Sequence, residues 1–367
     1  MLDKWLKQQK VLVCAGTGGV GKTTVAAALA LRASQLGLKV LVLTIDPARR
    51  LADALGLNQN IDDPILVKEE PGGGQLYACM LNPERVFDQF VARHAVRPDS
   101  LSKLLRSRLY QQLKSSLSGS QEFTAMEKLR TFVDSGEYDL VILDTPPAQH
   151  AMDFLTAPLK LNALFQSTII HWFSQGIVGR GGILKTFFQR STVVVMKALE
   201  KLTGASFVQE LSEFFLGIGD WQDLLAQRTR RVHELLTSAE TQFVLVTSFD
   251  HAKIIESLDF CRDLQNRGYH LGLAIINRSF PEWMSVGNGG GALPAEMGLY
   301  YQQLKKYYRE NERAYDELEH RLGSAVHILR IPDFNQDVSD LGDLETVVKS
   351  IYQPKPTQDR HEEKMGI

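Results

Sequence analysis

The segment CAGTGGVGKTT, residues 14–24, constrains this chain more than any other, because it joins an apolar run to an alanine-rich helical pattern. The run Val11–Val13 predicts a buried strand, and the sequence VAAALALRASQL that follows predicts a helix. The glycines let successive main-chain N–H groups converge on phosphate oxygens, and the helix adds the positive end of its dipole. In this strand–loop–helix context, the pattern G-x-x-x-x-G-K-[ST] predicts a phosphate-binding loop.

The residues of this loop have separate expected roles. We expect Lys22 to reach the β- and γ-phosphates and to act in catalysis, and Thr23 to bind Mg²⁺ through its hydroxyl. The expected nucleotide-binding residues are Gly16, Thr17, Gly18, Gly19, Val20, Gly21, Lys22, Thr23 and Thr24. The predicted ligands are therefore ATP and Mg²⁺.

Short apolar runs alternate with helical patterns along the chain. The predicted strands are Val11–Ala15, Val40–Ile45, Leu76–Met80, Leu140–Leu143, Phe243–Thr247, Leu271–Ile276 and Val326–Leu329. Strands that are apolar on both faces and separated by helices are typical of a parallel sheet with helices on both sides. The sequence thus predicts a doubly wound, mostly parallel α/β core of the P-loop type.

The alternation stops at residues 158–239, which we interpret as an inserted helical subdomain between two core segments, 1–157 and 240–352. Seven of the 17 phenylalanines lie between Leu159 and Gly219. Such a lobe either packs around its own core or presents an apolar groove, and the sequence leaves both open. A glycine-rich loop at 285–294 precedes a long charged helical pattern, and the polar tail 353–367 is predicted to be disordered.

Composition limits the classes of partner and compartment. The net charge is −2, from 41 Lys+Arg against 43 Asp+Glu, so no basic field favours nucleic acid, and none is expected as a partner. The three cysteines are scattered without CxxC spacing, which indicates reduced thiols. No apolar run approaches the roughly 18 residues of a membrane span, and no signal-peptide pattern is present. We therefore expect a cytoplasmic protein.

Two aspartates follow predicted strands and are candidates for the reaction site. Asp144 comes directly after Leu140–Leu143, so we expect it to face the phosphate loop and hold Mg²⁺ through a water molecule. Asp46 ends the strand after the first helix and is the candidate for orienting the attacking water in catalysis. A simple turn or helix cap is the alternative interpretation of each residue.

Three motifs together carry a resemblance to a known family. They are GTGGVGKTT at 16–24, TIDPARRLADA at 44–54 and DTPPAQH at 144–150. This combination resembles the ArsA-type ATPases, which drive arsenite pumps or target tail-anchored membrane proteins, and the resemblance extends over essentially the whole chain. It implies ATP hydrolysis in a nucleotide-gated homodimer with switch segments at 46–51 and 144–150. It also implies that Asn277 and Pro332 border the adenine, although by sequence alone they read equally well as a strand-end polar residue and a turn proline.

Position 17 departs from the family. Relatives usually carry a lysine where Thr17 stands, and that lysine reaches the partner's nucleotide in the manner of an arginine finger. Threonine supplies no such charge, so either this protein hydrolyses ATP slowly or another cation takes over. Arg49 and Arg50 are the nearest candidates in sequence, with solvated helix residues as the alternative interpretation.

Other family features are also altered or ambiguous. Thiolate clusters and CxxC pairs, which hold arsenite or zinc in relatives, do not occur here, so no zinc is expected. Glu122 and Glu127 correspond to a stretch in which relatives place an interface glutamate, and solvated or capping side chains are the alternative. His150 falls in the second switch segment, where it is a candidate for relaying the state of the γ-phosphate; an ordinary hydrogen-bonded residue is the simpler interpretation.

Three functional classes follow. The first is an ATPase whose helical lobe binds a hydrophobic client or a membrane partner. The second is the energising subunit of an anion or metalloid pump, which predicts thiolate clusters. The third is a nucleotide-switched positioning protein of the ParA and MinD type, which predicts a basic face or a terminal amphipathic helix. The sequence favours the first.

Overall fold

A computed structural model describes residues 1–45, 50–57, 63–82, 85–86, 88–89, 92, 118–146, 221–279, 295–334 and 337–351. Several predicted features lie outside these residues: Asp46, Arg49, His150, the tail 353–367, the glycine-rich loop 285–294 and most of the segment 158–239.

The described residues include a sheet of eight strands. They are β1 (Val11–Gly16), β2 (Lys39–Thr44), β3 (Ile65–Glu69), β4 (Gln75–Met80), β5 (Leu140–Asp144), β6 (Thr241–Ser248), β7 (Leu271–Ser279) and β8 (His327–Pro332). The spatial order is β3-β4-β2-β5-β1-β6-β7-β8, and every neighbouring pair is parallel except β3 with β4. This confirms the predicted doubly wound, mostly parallel sheet.

Helices connect these strands. Those described are α1 (Leu2–Leu6), α2 (Lys22–Gln35), α3 (Arg50–Ala54), α4 (Ser118–Ser135), α5 (Trp221–Leu236), α6 (His251–Asn266), α7 (Ala295–Leu322) and α8 (Leu341–Ser350). α7 coincides with the predicted long charged helix. Within the described residues, no helix is both long and apolar enough to cross a membrane.

The central strands form the buried core. Every residue of β1 and of β5 is buried, as expected for strands covered on both faces. α2 packs against β1, β2, β4 and β5, and its alanines allow the helix to approach the sheet closely. This packing holds the N-terminal end of α2 beside the carboxyl ends of β1 and β5, the edge at which doubly wound sheets bind ligands.

The edge strand β3 was not predicted. Its five residues, ILVKE, are half-buried or exposed along their whole length, and the pairing with β4 shifts register between Leu66 and Lys68. β3 is short, ends in two charged residues and lies at the edge of the sheet. It therefore lacks the long apolar run that predicts the inner strands.

The chain divides into two compact units. One consists of Met1–Leu81, Leu129–Met152 and Glu234–Ile367, and contains the whole eight-stranded sheet. The other consists of Asn82–Lys128 and Asp153–His233. The second unit thus takes in residues 82–128 together with most of the predicted insertion 158–239, whose exact boundaries stay a prediction.

Candidate active site

The loop between β1 and α2 is shaped by glycines that no other residue replaces without strain. Gly19 and Gly21 have φ of 78° and 87°, in the left-handed region, and Gly21 is the N-cap of α2. A Cβ on Gly16 would lie 1.9 Å from the carbonyl oxygen of Val246, because β1 pairs closely with β6 there. The loop therefore presents bare main chain at the start of a helix, as a phosphate site requires.

Lys22 folds back over this loop from the first turn of α2. Its side chain is largely buried, with 8% of the residue exposed, and its Nζ donates a hydrogen bond to the main-chain oxygen of Thr17 at 2.9 Å. The ammonium group thus lies at the main-chain cradle itself. A positive charge in this position is placed to neutralise phosphate oxygens that enter the loop.

Asp144 lies beside the loop at the end of β5 and is only 2% exposed. Its Oδ2 accepts a hydrogen bond from Thr23 Oγ1 at 2.7 Å and another from Thr44 Oγ1 at 3.0 Å. A hydroxyl and a carboxylate in direct contact are the hard oxygen donors that Mg²⁺ prefers. The residues predicted to hold the metal, Thr23 and Asp144, are thus brought together although they are far apart in the chain.

Thr44 and Thr145 belong to this site and were not singled out from the sequence. Thr145 ties the end of β5 to β1, since both its main-chain N and its Oγ1 donate to the oxygen of Cys14, at 3.2 and 2.9 Å. Thr44 is the last residue of β2 and pairs in register with Asp144. Thr44 could have been identified from the sequence, because it is a polar residue at the end of an apolar strand and stands two positions before Asp46.

Cys14 is next to Asp144 on the neighbouring strand, yet it is inert. Burial raises the pKa of its thiol well above the ordinary value of 9.0, and the charge of Asp144 raises it further. The thiol therefore stays protonated and acts as a small apolar side chain.

Asn277, near the end of β7, contacts the phosphate loop directly. Its side-chain Nδ2 donates to the main-chain oxygen of Val20 at 2.9 Å, and its main-chain oxygen accepts from the main-chain N of Phe249 at 3.1 Å. The next residue, Arg278, has φ of 51°, which costs a non-glycine residue about 1–3 kcal/mol. Pro332 pairs with Ser279 on the adjacent strand, so Asn277 and Pro332 lie at the same edge of the sheet.

A buried arginine supports this side of the site. Arg330 is 5% exposed, and its guanidinium lies 3.8 Å from the ring centroid of Tyr315 and 5.1 Å from that of Phe249. Arg330 Nη2 donates to Glu312 Oε1 at 3.2 Å, and Asn311 Nδ2 donates to the oxygen of Phe249 at 2.9 Å. These contacts fasten α7 to β6 and β8 next to Asn277. The family resemblance pointed to Pro332 but not to Arg330, because nothing in the sequence indicates that this charged strand residue is buried.

A sequence profile of the ArsA ATPase family, described as anion-transporting ATPases, matches residues 9–353. This chain is a member of the ArsA ATPase family. Similar proteins include the putative arsenical pump-driving ATPase 1 of Aquifex aeolicus (strain VF5), 23% identical over 95% of this chain and 80% of its own length. ATPase GET3B of Arabidopsis thaliana is 26% identical over 75% of this chain and 65% of its own length. The putative arsenical pump-driving ATPase of Prosthecochloris vibrioformis is 22% identical over 94% and 75%.

In this ArsA-family chain, Thr17 is completely buried, and its hydroxyl has no hydrogen-bond partner among the described residues. The Thr17 side chain therefore lies within the loop rather than projecting from it. Arg50, in contrast, is exposed at the first residue of α3. Of the two arginines proposed as replacement cations, Arg50 is therefore accessible, while Arg49 lies outside the described residues.

The family stretch that contains Glu122 and Glu127 lies on α4. Glu127 is 7% exposed and forms an ion pair with Arg228 of α5, so it is not a solvated side chain. A buried carboxylate with a guanidinium partner has a structural explanation that needs no second subunit. The side chain of Glu122 lies outside the description.

Proposed function

We propose that this ArsA-family chain is a Mg²⁺-dependent ATPase that uses hydrolysis to switch a homodimer, whose helical lobe at 158–239 binds a hydrophobic client or a membrane partner. The observation that supports nucleotide binding and hydrolysis is the convergence of Lys22, Thr23 and Asp144 on one glycine loop at the carboxyl ends of the strands. This donor set fits a nucleoside triphosphate and its metal.

Each residue has a role that follows from its chemistry. The loop amides bind the phosphates, and Lys22 neutralises charge on the transferred group. Thr23 would hold Mg²⁺ by its hydroxyl and Asp144 would hold it through a water molecule, and the bound metal would supply positive charge to the phosphates. Asp46 orients the attacking water. This division of labour suits phosphoryl transfer, in which catalysis is mainly positioning and charge stabilisation.

The orientation of Asn277 supports adenine as the base. Its Nδ2 uses one of its two hydrogens on the oxygen of Val20, which fixes the orientation of the amide and leaves Oδ1 as its acceptor. An acceptor favours the exocyclic amino group of adenine, whereas guanine carries a carbonyl oxygen at the equivalent ring position. Placing Asn277 and Pro332 beside the base therefore favours ATP over GTP.

The catalytic assignment is tested by phosphate release from Mg-ATP by the purified chain. Lys22→Ala should lower kcat by about 10²-fold or more, because a preorganised charge at the phosphates is lost. Lys10→Ala is the matched control, because Lys10 is an exposed lysine that pairs with Glu240 at the opposite edge of the sheet, and it should leave the rate unchanged. Equal rates for wild type and Lys22→Ala would contradict the assignment.

The proposals of dimer formation and client binding rest on membership of the ArsA family and on the phenylalanine-rich segment within 158–239. A test compares the mass of the Asp46→Asn variant in solution with Mg-ATP and with Mg-ADP, in the presence of an apolar transmembrane peptide or a polar peptide of equal length. The proposal expects an ATP-dependent dimer that retains the apolar peptide. A monomer with both nucleotides would contradict the proposed dimer switch. Equal retention of both peptides would contradict the proposed client site.

The names of relatives favour a second candidate, the energising subunit of an arsenical pump. The cysteines argue against a metalloid site within this chain. Cys14, Cys79 and Cys261 are all buried, on β1, β4 and α6, and two other strands separate β1 from β4. Burial raises the pKa of Cys261 to about 12, so this thiol also stays protonated. A pump role would therefore need metalloid binding elsewhere, and ATPase activity unaffected by arsenite is the expected result.

A further inference from the structure

Two hydroxyls from different elements converge on one oxygen of Asp144. Thr23 Oγ1 approaches from α2 at 2.7 Å, and Thr44 Oγ1 approaches from β2 at 3.0 Å. The proposed function assigns Thr23 and Asp144 to the Mg²⁺ site, while it gives Thr44 no role. Thr44 nevertheless contacts the same oxygen of Asp144, and only 1% of its surface is exposed.

The sheet holds Thr44 rigidly. Its Cα pairs with those of Asp144 on β5 and Met80 on β4, and its carbonyl oxygen accepts from the main-chain N of Leu81 at 2.9 Å. A β-branched side chain on a strand has few rotamers, so the hydroxyl is presented to Asp144 at little further cost in entropy. Thr44 is thus a preorganised donor.

A carboxylate at the end of a strand otherwise has a broad torsion about its terminal bond. Two donors to the same oxygen restrict this rotation and set the plane of the carboxylate. Of these two donors, Thr23 also has to direct its oxygen to the metal, whereas Thr44 has no such second task. Partners that orient metal-binding groups typically change metal affinity about 10–100-fold when they are removed.

We propose that Thr44 is a positioning residue for the Mg²⁺ site, which holds the Asp144 carboxylate in the orientation that binds hydrated metal. The inference rests on the proposed function. It also links the metal site to the segment that follows β2, because Asp46 is two residues further along the chain.

The test measures the affinity of the full chain for ADP by calorimetry, with and without Mg²⁺. Thr44→Val keeps the shape and removes the hydroxyl; it should weaken Mg-ADP binding about tenfold and leave metal-free ADP binding unchanged. Thr44→Ser should restore wild-type affinity. Thr241→Val is the matched control, because Thr241 is also a buried strand threonine, donates to Leu235 O at 2.7 Å and lies at the opposite end of the sheet.

Each result decides between clear alternatives. Equal affinities of wild type and Thr44→Val for Mg-ADP would overturn the inference and leave the proposed function intact. An equal loss with and without Mg²⁺ would also overturn it, since that indicates a purely structural residue. Absence of Mg-ADP binding by wild type would refute the proposed function and the inference together. If Thr44→Val does not fold, Thr44→Cys replaces it, because a thiol is a weak donor and the same expectations apply.

Discussion

At the N-terminal end of α2, Gly21 lacks a side chain for two independent reasons. Its φ of 87° is strained for any residue with a Cβ, and a Cβ there would lie 2.4 Å from Nδ2 of Asn277. The amide cannot simply swing away, because it donates to the oxygen of Val20. A single residue thus connects the backbone of the phosphate loop to the proposed base site on β7.

Replacing Gly21 by alanine should therefore affect both stability and nucleotide binding. Gly268→Ala is the matched control, because Gly268 has φ of 80° and open space where its Cβ would be. Both variants should lose about 1–2 kcal/mol of unfolding free energy in urea, from backbone strain alone. Only Gly21→Ala should also displace Asn277 and weaken Mg-ADP binding, by roughly tenfold for a cost of about 1.4 kcal/mol. Wild-type binding by Gly21→Ala would contradict this account.

Among the elements, the edge strand β3 is held by charge as well as by its pairing with β4. Lys68 Nζ contacts Glu345 Oε1 of α8 at 2.7 Å and Glu70 Oε1 at 3.1 Å. The hydrogen bond to Lys68 lowers the pKa of Glu345 below its ordinary 4.5. The hydrogen bond to Glu345 in turn raises the pKa of Lys68 above its ordinary 10.5. An ion pair thus joins an edge strand to a helix that also packs against α2.

A double-mutant cycle with Lys68→Met and Glu345→Gln should reveal a coupling that depends on pH. The lowered pKa of Glu345 makes its contribution complete above about pH 4.5, and this contribution is lost as the pH falls through the folded value. The raised pKa of Lys68 makes its contribution complete below about pH 10.5, and it is lost as the pH rises through the folded value. At pH 7 the expected coupling is below about 1 kcal/mol, because both side chains are partly solvated.

The control for this cycle is the pair Arg262–Asp259 on α6, whose side chains are 69% and 70% exposed and should show no measurable coupling. A coupling at Lys68 and Glu345 that persists at pH 3, measured by urea unfolding, would show that packing rather than charge joins β3 to α8.

For the whole molecule, a threonine at position 17, where the family resemblance leads us to expect a lysine, bears on how two copies would cooperate. Thr17 is buried within the loop, whereas Arg50 is exposed at the start of α3, within the proposed switch segment 46–51. If a cation from one subunit completes the site of the other, Arg49 and Arg50 of this segment are the nearest candidates in sequence to supply it. The rate per chain would then depend on dimer formation.

Arg49→Ala and Arg50→Ala separate the two alternatives left open by Thr17. If either arginine acts in trans, its removal should lower kcat on the order of 10³-fold, and wild-type turnover per chain should rise with protein concentration. Arg313→Ala, at an exposed position of α7, should leave the rate unchanged. Full activity in both variants would show that neither Arg49 nor Arg50 supplies a cation in trans, and a slow wild-type rate independent of concentration would accord with that result.

The local pattern of the sequence was sufficient to place the glycine loop between β1 and α2, most of the strands and the helix α7. These features depend on neighbouring residues: glycine spacing beside a lysine, apolar runs of strand length and a long helical periodicity. It was sufficient as well for placing Asp144 at the end of a strand. The same information could not identify β3, whose short charged sequence resembles a loop.

Contacts between distant residues were decided only by the tertiary structure. Thr44 meets Asp144 because β2 lies beside β5, and Asn277 reaches Val20 because β6 and β7 continue the sheet beyond β1. Arg330 is buried because α7 lies against β8, where Tyr315 and Glu312 receive it. Strand order and register depend on how all the apolar faces pack together. The periodicity of a single segment predicts a strand or a helix, but it does not specify which other strands pair with it.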